Sequence, residues 1–234
     1  MNPSIRGLCL FVLACAVLGL TAPGCSERAS RVVAPLASAP APSSPANALE
    51  LLRYDWVNRA PVSYGELFTE DYRFVFADSD SAGNAFRGSP WGREDELVFA
   101  QNLFVNGTTV EPPASSITLD FTMPPVVVPD DRAGKDERWH KMIRVEFLLR
   151  VYRSVDGFEV KGAERFYLVR GDSAQIPPEL HDRGFGPDSA RWWVERWVDE
   201  SLQGTGLTPS RLAPPATAQP TRRSSLGAIK VLYR

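Results

Sequence analysis

The chain has 234 residues, 44% of them hydrophobic and 23% charged, and a formal net charge of −2. That length suits a single domain with additions. The mild acidity excludes the basic footprint that nucleic acid demands and the polybasic patch that holds anionic lipid.

The chain opens with one cation, Arg6, then an apolar run from Leu8 to Leu20, then small residues, Thr21-Ala22-Pro23-Gly24-Cys25. A charged head, a short apolar core and a small-residue exit form the pattern of an export signal. The run is shorter than the roughly 20 residues of a membrane-spanning helix. Ala22-Pro23-Gly24-Cys25 resembles the lipobox of bacterial lipoproteins. The resemblance implies cleavage after residue 24, lipidation of Cys25 with palmitate-type acyl chains, and a membrane partner through that lipid. The expected location is the bacterial cell envelope, facing the periplasm or exterior. All three cysteines, at 9, 15 and 25, precede the body. A lipidated Cys25 leaves no thiol for a disulfide, a cysteine-ligated zinc or a cysteine nucleophile.

Residues 25–47 include the tract Ala34-Pro35-Leu36-Ala37-Ser38-Ala39-Pro40-Ala41-Pro42 and read as a tether. Its span is about 25 Å as a coil and about 65 Å as extended polyproline. Residues 48–234 form the expected single domain.

Within that domain Ala48–Arg59 carries Leu49, Leu52 and Trp56 on one helical face, and Pro61–Phe68 predicts a second short helix. Tyr72–Phe76 alternates as a strand. Ser89-Pro90 reads as N-cap and first helical residue of a helix running to about Val105, with Glu94, Asp95 and Glu96 near its positive end and Asn106-Gly107 stopping it. Beyond it the pattern turns to strict alternation. The predicted strands are Ile117–Met123, Ile143–Tyr152, Phe158–Leu168, Arg191–Asp199 and Leu226–Tyr233. Alternation of this kind marks antiparallel strands with one buried face. Asp156-Gly157 is a hairpin signal, and Gly162 predicts a bulge or bend. Segments 124–141, 172–190 and 204–225 read as long loops.

The predicted class is α+β, with N-terminal helices packed into a strongly curved antiparallel sheet. The order of elements, Leu49–Phe68, Tyr72–Phe76, Trp91–Val105 and then long strands, resembles the nuclear transport factor 2-like superfamily, which includes ketosteroid isomerase-like and polyketide cyclase-like proteins. A lipocalin-like barrel and a cystatin-like sheet on one helix are the alternatives. The closing segments, Arg191–Trp197 and Ala228–Arg234, also resemble those of bacterial lipoproteins. The resemblance implies a cone-shaped pocket used for binding or acid–base chemistry, and a sheet-to-sheet homodimer as a candidate assembly.

A carboxyl group in an apolar pocket has a raised pKa and can shuttle protons. Glu164 shares strand parity with Phe158, Val160, Phe166 and Leu168, and Glu195 with Trp193 and Trp197; Asp120 is a weaker third candidate. The competing role for all three is cross-strand ion pairing on a solvated face with Arg144, Arg150, Arg165 or Arg196. Trp193, Trp197 and Tyr167 are the candidate ligand-binding aromatics, set against ordinary core packing. His140 and His181 lie in loops without ligand spacing, so no metal or cofactor is expected. The leading expectation is a membrane-tethered, non-catalytic domain binding a small apolar ligand or a protein through the cone or its mouth. A cone-pocket isomerase or dehydratase with a glutamate base and a structural envelope protein without ligand are the alternatives.

Overall fold

A computed structural model describes residues 38–121, 125–154, 156–200 and 221–234. The signal segment, Cys25 and the tether up to residue 37 lie outside the described residues, as do Met123 and the part of the last long loop up to residue 220. No helix among the described residues is long and apolar enough to cross a membrane.

Helix α1 spans Pro45–Asn58. The Ser44 side chain caps it by accepting from Asn47 N at 3.1 Å, and Pro45 supplies the pre-set φ of a first turn. It therefore begins ahead of the expected position 48, and ordered backbone reaches further back still, since Trp192 N donates to Pro42 O at 2.8 Å. Arg59 ends it in the left-handed region at φ 52°. Helix α2, Pro61–Gly65, is shorter than predicted, and strand β1 starts early, at Phe68, and runs to Val75.

The predicted cap at Ser89 is corrected. Trp91–Gly92 is a short strand, β2, paired with Phe74 and Arg73 of β1. The cap is Gly92, whose N–H donates to Asp95 Oδ2 at 3.0 Å, and helix α3 spans Arg93–Gln101. Burial of the Trp91 indole against Phe86 and Phe99 holds the chain extended there. A π-helical turn over Asn102–Asn106 follows, and Gly107, at φ 71°, stops it as expected.

The remaining strands are β3 (Ser116–Phe121), β4 (Val126–Pro129), β5 (His140–Tyr152), β6 (Gly157–Arg170), β7 (Trp192–Asp199) and β8 (Thr221–Arg223). Together they make one curved, unclosed sheet of eight strands in the order β2-β1-β7-β6-β5-β3, with β4 on β5 and β8 on β6. Strand β4 and a short helix α4 (Pro178–His181) occupy segments predicted as loop. The sheet is mixed, not wholly antiparallel: β1 runs parallel to β7 and β8 parallel to β6. The β5–β6 hairpin keeps unbroken register from His140↔Val169 to Tyr152↔Gly157, so Gly162 makes no bulge. The bulge falls instead in β7, where Tyr167 faces Arg196 but Leu168 faces Val194, leaving Glu195 without an opposite number.

The largest correction is the C-terminus. Leu226–Leu232 is a helix, α5, not a strand. Ser225 is its N-cap, accepting from Ala228 N at 3.0 Å, and Ser225 Oγ donates to Asp80 Oδ2 at 2.6 Å. Leu226, Ile229, Lys230 and Tyr233 fall on one buried face at helical spacing. Gly227 lets the helix sit this close: a Cβ there would collide with Asp80 Oδ2 and come within 2.6 Å of Phe76 Cδ1. The core lies between the sheet's concave face and the helices. Ile143, Val145, Phe147, Leu149 and Val151 of β5 meet Leu49, Leu52 and Trp56 of α1 and Phe99 of α3 in one cluster.

Candidate functional site

The centre of the cone is built on a carboxylate. Glu96 of α3 is excluded from solvent and accepts from Tyr64 Oη of α2 at 2.6 Å, Tyr72 Oη of β1 at 3.2 Å and Trp91 Nε1 of β2 at 2.8 Å. Its fourth donor is the equally buried Lys230 Nζ of α5, in a direct ion pair. That ammonium stands 4.5 Å from the ring centroids of Phe74, Phe99 and Trp197, a cage of aromatic faces. Burial drives the Lys230 pKa down, opposed by Glu96, while burial and the Glu96 charge drive both Tyr64 and Tyr72 well above the ordinary phenol value. A carboxylate with this many donors is an anchor, since it has no unused capacity for a substrate proton.

Glu164 points into the same core, as its parity predicts. Its Oε2 accepts from Trp197 Nε1 at 2.6 Å, whereas the buried Oε1 has no hydrogen-bond partner among the described residues. Burial, with Asp199 across the strand pair adding to it, holds its pKa well above the ordinary carboxyl value; the Trp197 bond and Lys230 pull the other way. Beside it lies a cavity of about 10 Å³, walled by Leu52, Trp56, Phe147, Phe166 and Trp197. That is room for about one water molecule.

The other candidates are elsewhere. Glu195 does not face inward: it pairs with Arg132 and Lys135 of the β4–β5 connection on the outer face of the sheet. Those two cations hold its pKa below the ordinary value against the opposing effect of burial. The β7 bulge explains the miss. It advances the strand by one residue between Val194 and Trp197, so Trp197 joins the main core while Trp193 turns outward. Trp193 packs there with Val169, Ile176 and Leu180 under the 172–190 segment. Tyr167 also lies on the outer face, its ring 4.1 Å beneath the Arg132 guanidinium. Asp120 sits exposed on β3. Of the predicted acids and aromatics, the structure brings only Glu164 and Trp197 together.

Glu96, Lys230, Tyr64 and Tyr72 were missed. Glu96 reads as one of three acids at a helix N-terminus, yet it also lies three, four and seven residues before Phe99, Ala100 and Leu103, which marks the buried face. Lys230 reads as solvent-facing only if its segment is a strand. No cluster of His, Cys, Asp and Glu able to hold a metal occurs among the described residues.

No protein-family model and no curated protein matches the sequence. Among solved structures, the chain is similar to an NTF2-like superfamily protein from Salmonella enterica at 14% identity and TM-score 0.42, over 70% of this chain and 92% of that one. An NTF2-like protein from Rhodospirillum rubrum, described as of unknown function in nutrient uptake, gives 14% identity and TM-score 0.42, over 68% of this chain and 98% of that one. An NTF2-like protein with a cystatin-like fold from Novosphingobium aromaticivorans gives 13% and 0.39, over 68% and 80%. At such distances no residue here inherits a role from them.

Two consequences can be measured. Replacing Lys230 by Met leaves Glu96 buried without its ion-pair partner, at an expected cost of about 3–5 kcal/mol in urea unfolding. Adding Glu96→Gln to that variant should recover more than half of the loss. A second test concerns pH. Burial, with Glu66 adding to it, pushes Asp55 of α1 up to about 7, against the Ser63 hydroxyl. A group whose folded pKa is raised stabilises fully below its unfolded value, and that stability is lost as pH rises through the folded one. Unfolding free energy should therefore fall between about pH 4 and 7, and Asp55→Asn should remove about 4 kcal/mol of that fall. Glu164→Gln should flatten the part that continues above the ordinary carboxyl range.

Proposed function

We propose that the chain is a membrane-tethered, non-catalytic domain that binds a small apolar ligand or a protein partner at the mouth of its cone. The observation that carries this is closure. Helix α5 brings Lys230 onto Glu96, and beside Glu164 only about 10 Å³ is left. Sites for small organic molecules run from about 300 to 1,000 Å³. A ligand in the depth of the cone therefore requires α5 to leave, breaking a buried ion pair; a ligand at the mouth does not. The tether rests on the sequence: the signal-like segment 1–24, Cys25 and the Ala/Pro/Ser tract. Lipidation there supports an envelope location, with the domain held near a membrane surface.

One observation favours the enzymatic alternative. Glu164 Oε1 is buried, lines the cavity and accepts no hydrogen bond from a described residue. A base of raised pKa in an apolar wall is what an isomerase or dehydratase would use. It would act only in a form of the protein opened at α5. Glu164→Gln separates the two: ligand retained on the purified chain, read by native mass spectrometry, should be unchanged in the variant. Loss of a measurable turnover in that variant would instate the enzyme. The tether has its own test. Radiolabelled palmitate should enter the wild-type chain in a bacterial host and not Cys25→Ser; equal labelling of the two would remove the lipoprotein assignment.

A further inference from the structure

An open groove of about 490 Å³ runs between α5, β8 and the first residues of β6. Ala228, Val231 and Leu232 give it an apolar surface above the buried Phe158 ring, and Arg222, Arg223 and Ser224 line it with donors. Two guanidiniums lie over the Phe158 ring, Arg153 at 4.5 Å and Arg222 at 4.6 Å. They differ in their commitments. Arg153 is buried and ion-paired to Glu111 and Asp156. Arg222 and Arg223 are exposed, and neither forms an ion pair with a described residue. The acid nearest in register to Arg223, Glu159, is engaged by Arg150 at 2.8 Å.

An arginine stacked on an aromatic ring uses its face for that contact. Its edge, with five N–H donors in a fixed fork, stays available for an oxyanion. Phe158 thus holds Arg222 in place before any ligand arrives, which lowers the entropic cost of binding. Arg223 and Ser224 follow on the same segment. A chain of net charge −2 has here two cations without an ion-pair partner among the described residues, beside an apolar surface. The volume lies within the range of small-molecule sites. Polar groups set orientation in such sites while apolar walls supply affinity.

We propose that this groove binds a single-chain anionic amphiphile. Its carboxylate or phosphate head sits on Arg222 and Arg223, and its tail lies along Ala228, Val231 and Leu232. The proposal goes beyond binding at the cone and names a ligand class for a separate groove on α5. Two arginines are too few for a nucleic-acid track, and the apolar surface is idle for a simple inorganic anion.

Isothermal titration of the full-length Cys25→Ser chain with decanoate tests it, because that chain cannot bring acyl groups of its own. Saturable 1:1 binding is expected. Arg222→Ala and Arg223→Ala should each weaken it about tenfold, the loss of one charge-assisted contact. Val231→Asp should weaken it at least as much, and decanol should bind more than about tenfold less tightly than decanoate. Far-UV circular dichroism of each variant checks that the fold is kept. Decanol binding as tightly as decanoate, or arginine variants binding as the parent does, would overturn the anionic class. Absence of saturable binding by both probes would overturn the groove itself, and palmitate labelling would still decide the tether.

Discussion

The pairing of Glu96 with Lys230 is the interaction on which the rest of the molecule depends. One carboxylate gathers α2, β1, β2 and α5 around α3, through Tyr64, Tyr72, Trp91 and Lys230. A buried ion pair is a poor source of net stability, because desolvating both charges offsets most of their attraction. Its strength is in selection. Any arrangement that moves α5 away leaves a bare carboxylate among aromatic rings, whereas a helix of the same hydrophobicity without Lys230 would meet no such penalty for slipping. The aromatic faces around the ammonium add to this, since Phe74, Phe99 and Trp197 belong to β1, α3 and β7. The seven-residue α5 is too short to be stable alone. It is therefore held by tertiary contacts, including Asn102 Nδ2 to Tyr233 O at 2.9 Å and Tyr233 Oη to Pro112 O at 2.8 Å.

Closure by α5 changes what the fold can do. A cone lined with aromatic and aliphatic side chains is a receptor when empty and a core when filled. Here Leu226 completes the wall over Glu164. The same burial leaves Glu96, Glu164 and Asp199 sharing one interior with the Lys230 ammonium. Since Glu96 takes the ammonium directly, the raised pKa of Glu164 follows from burial and from Asp199 across the strand pair. Its apolar wall disfavours the charged form of Glu164, and the hydrogen bond from Trp197 fixes its orientation. The features that would mark a general acid in an open pocket serve packing in a closed one.

Much of this was legible in the sequence where the physics is local. The β5–β6 hairpin follows from alternation and Asp156-Gly157, and the inward direction of Glu164 follows from parity counted along an uninterrupted strand. Parity fails where register does. The extra residue at Glu195 in β7 turns Trp193 to the opposite side from Trp197, and no local signal announces a bulge between a pair of strands. The C-terminal helix was hidden for another reason. Ala228-Ile229-Lys230-Val231-Leu232-Tyr233 is too short an apolar run for its period to be decided, and the Ser225 cap was the informative residue. Trp91 shows tertiary override. Ser89-Pro90 is good capping chemistry, but a buried indole bonded to Glu96 outweighs it.

The outer face of the sheet bears on assembly. Over β6 and β7 it is already covered by the chain's own segments: Ile176 and Leu180 lie on Trp193, and Arg132 with Lys135 closes over Tyr167 and Glu195. A sheet-to-sheet homodimer would have to use β5 and β3, where the outward side chains include Arg144, Glu146, Arg150 and Asp120. Arg144 and Arg150 are already satisfied by Glu200 and Glu159. That outward row of β5 also carries the half-buried Met142, Leu148 and Tyr152, so the face mixes apolar side chains with paired surface charges, which contribute little on their own. Charge without an ion-pair partner among the described residues lies beside apolar surface at β8 and α5, on the segment that closes the cone. Binding there would touch the same helix that carries Lys230, so an occupant of the groove and the ion pair at the centre act on one element from its two sides.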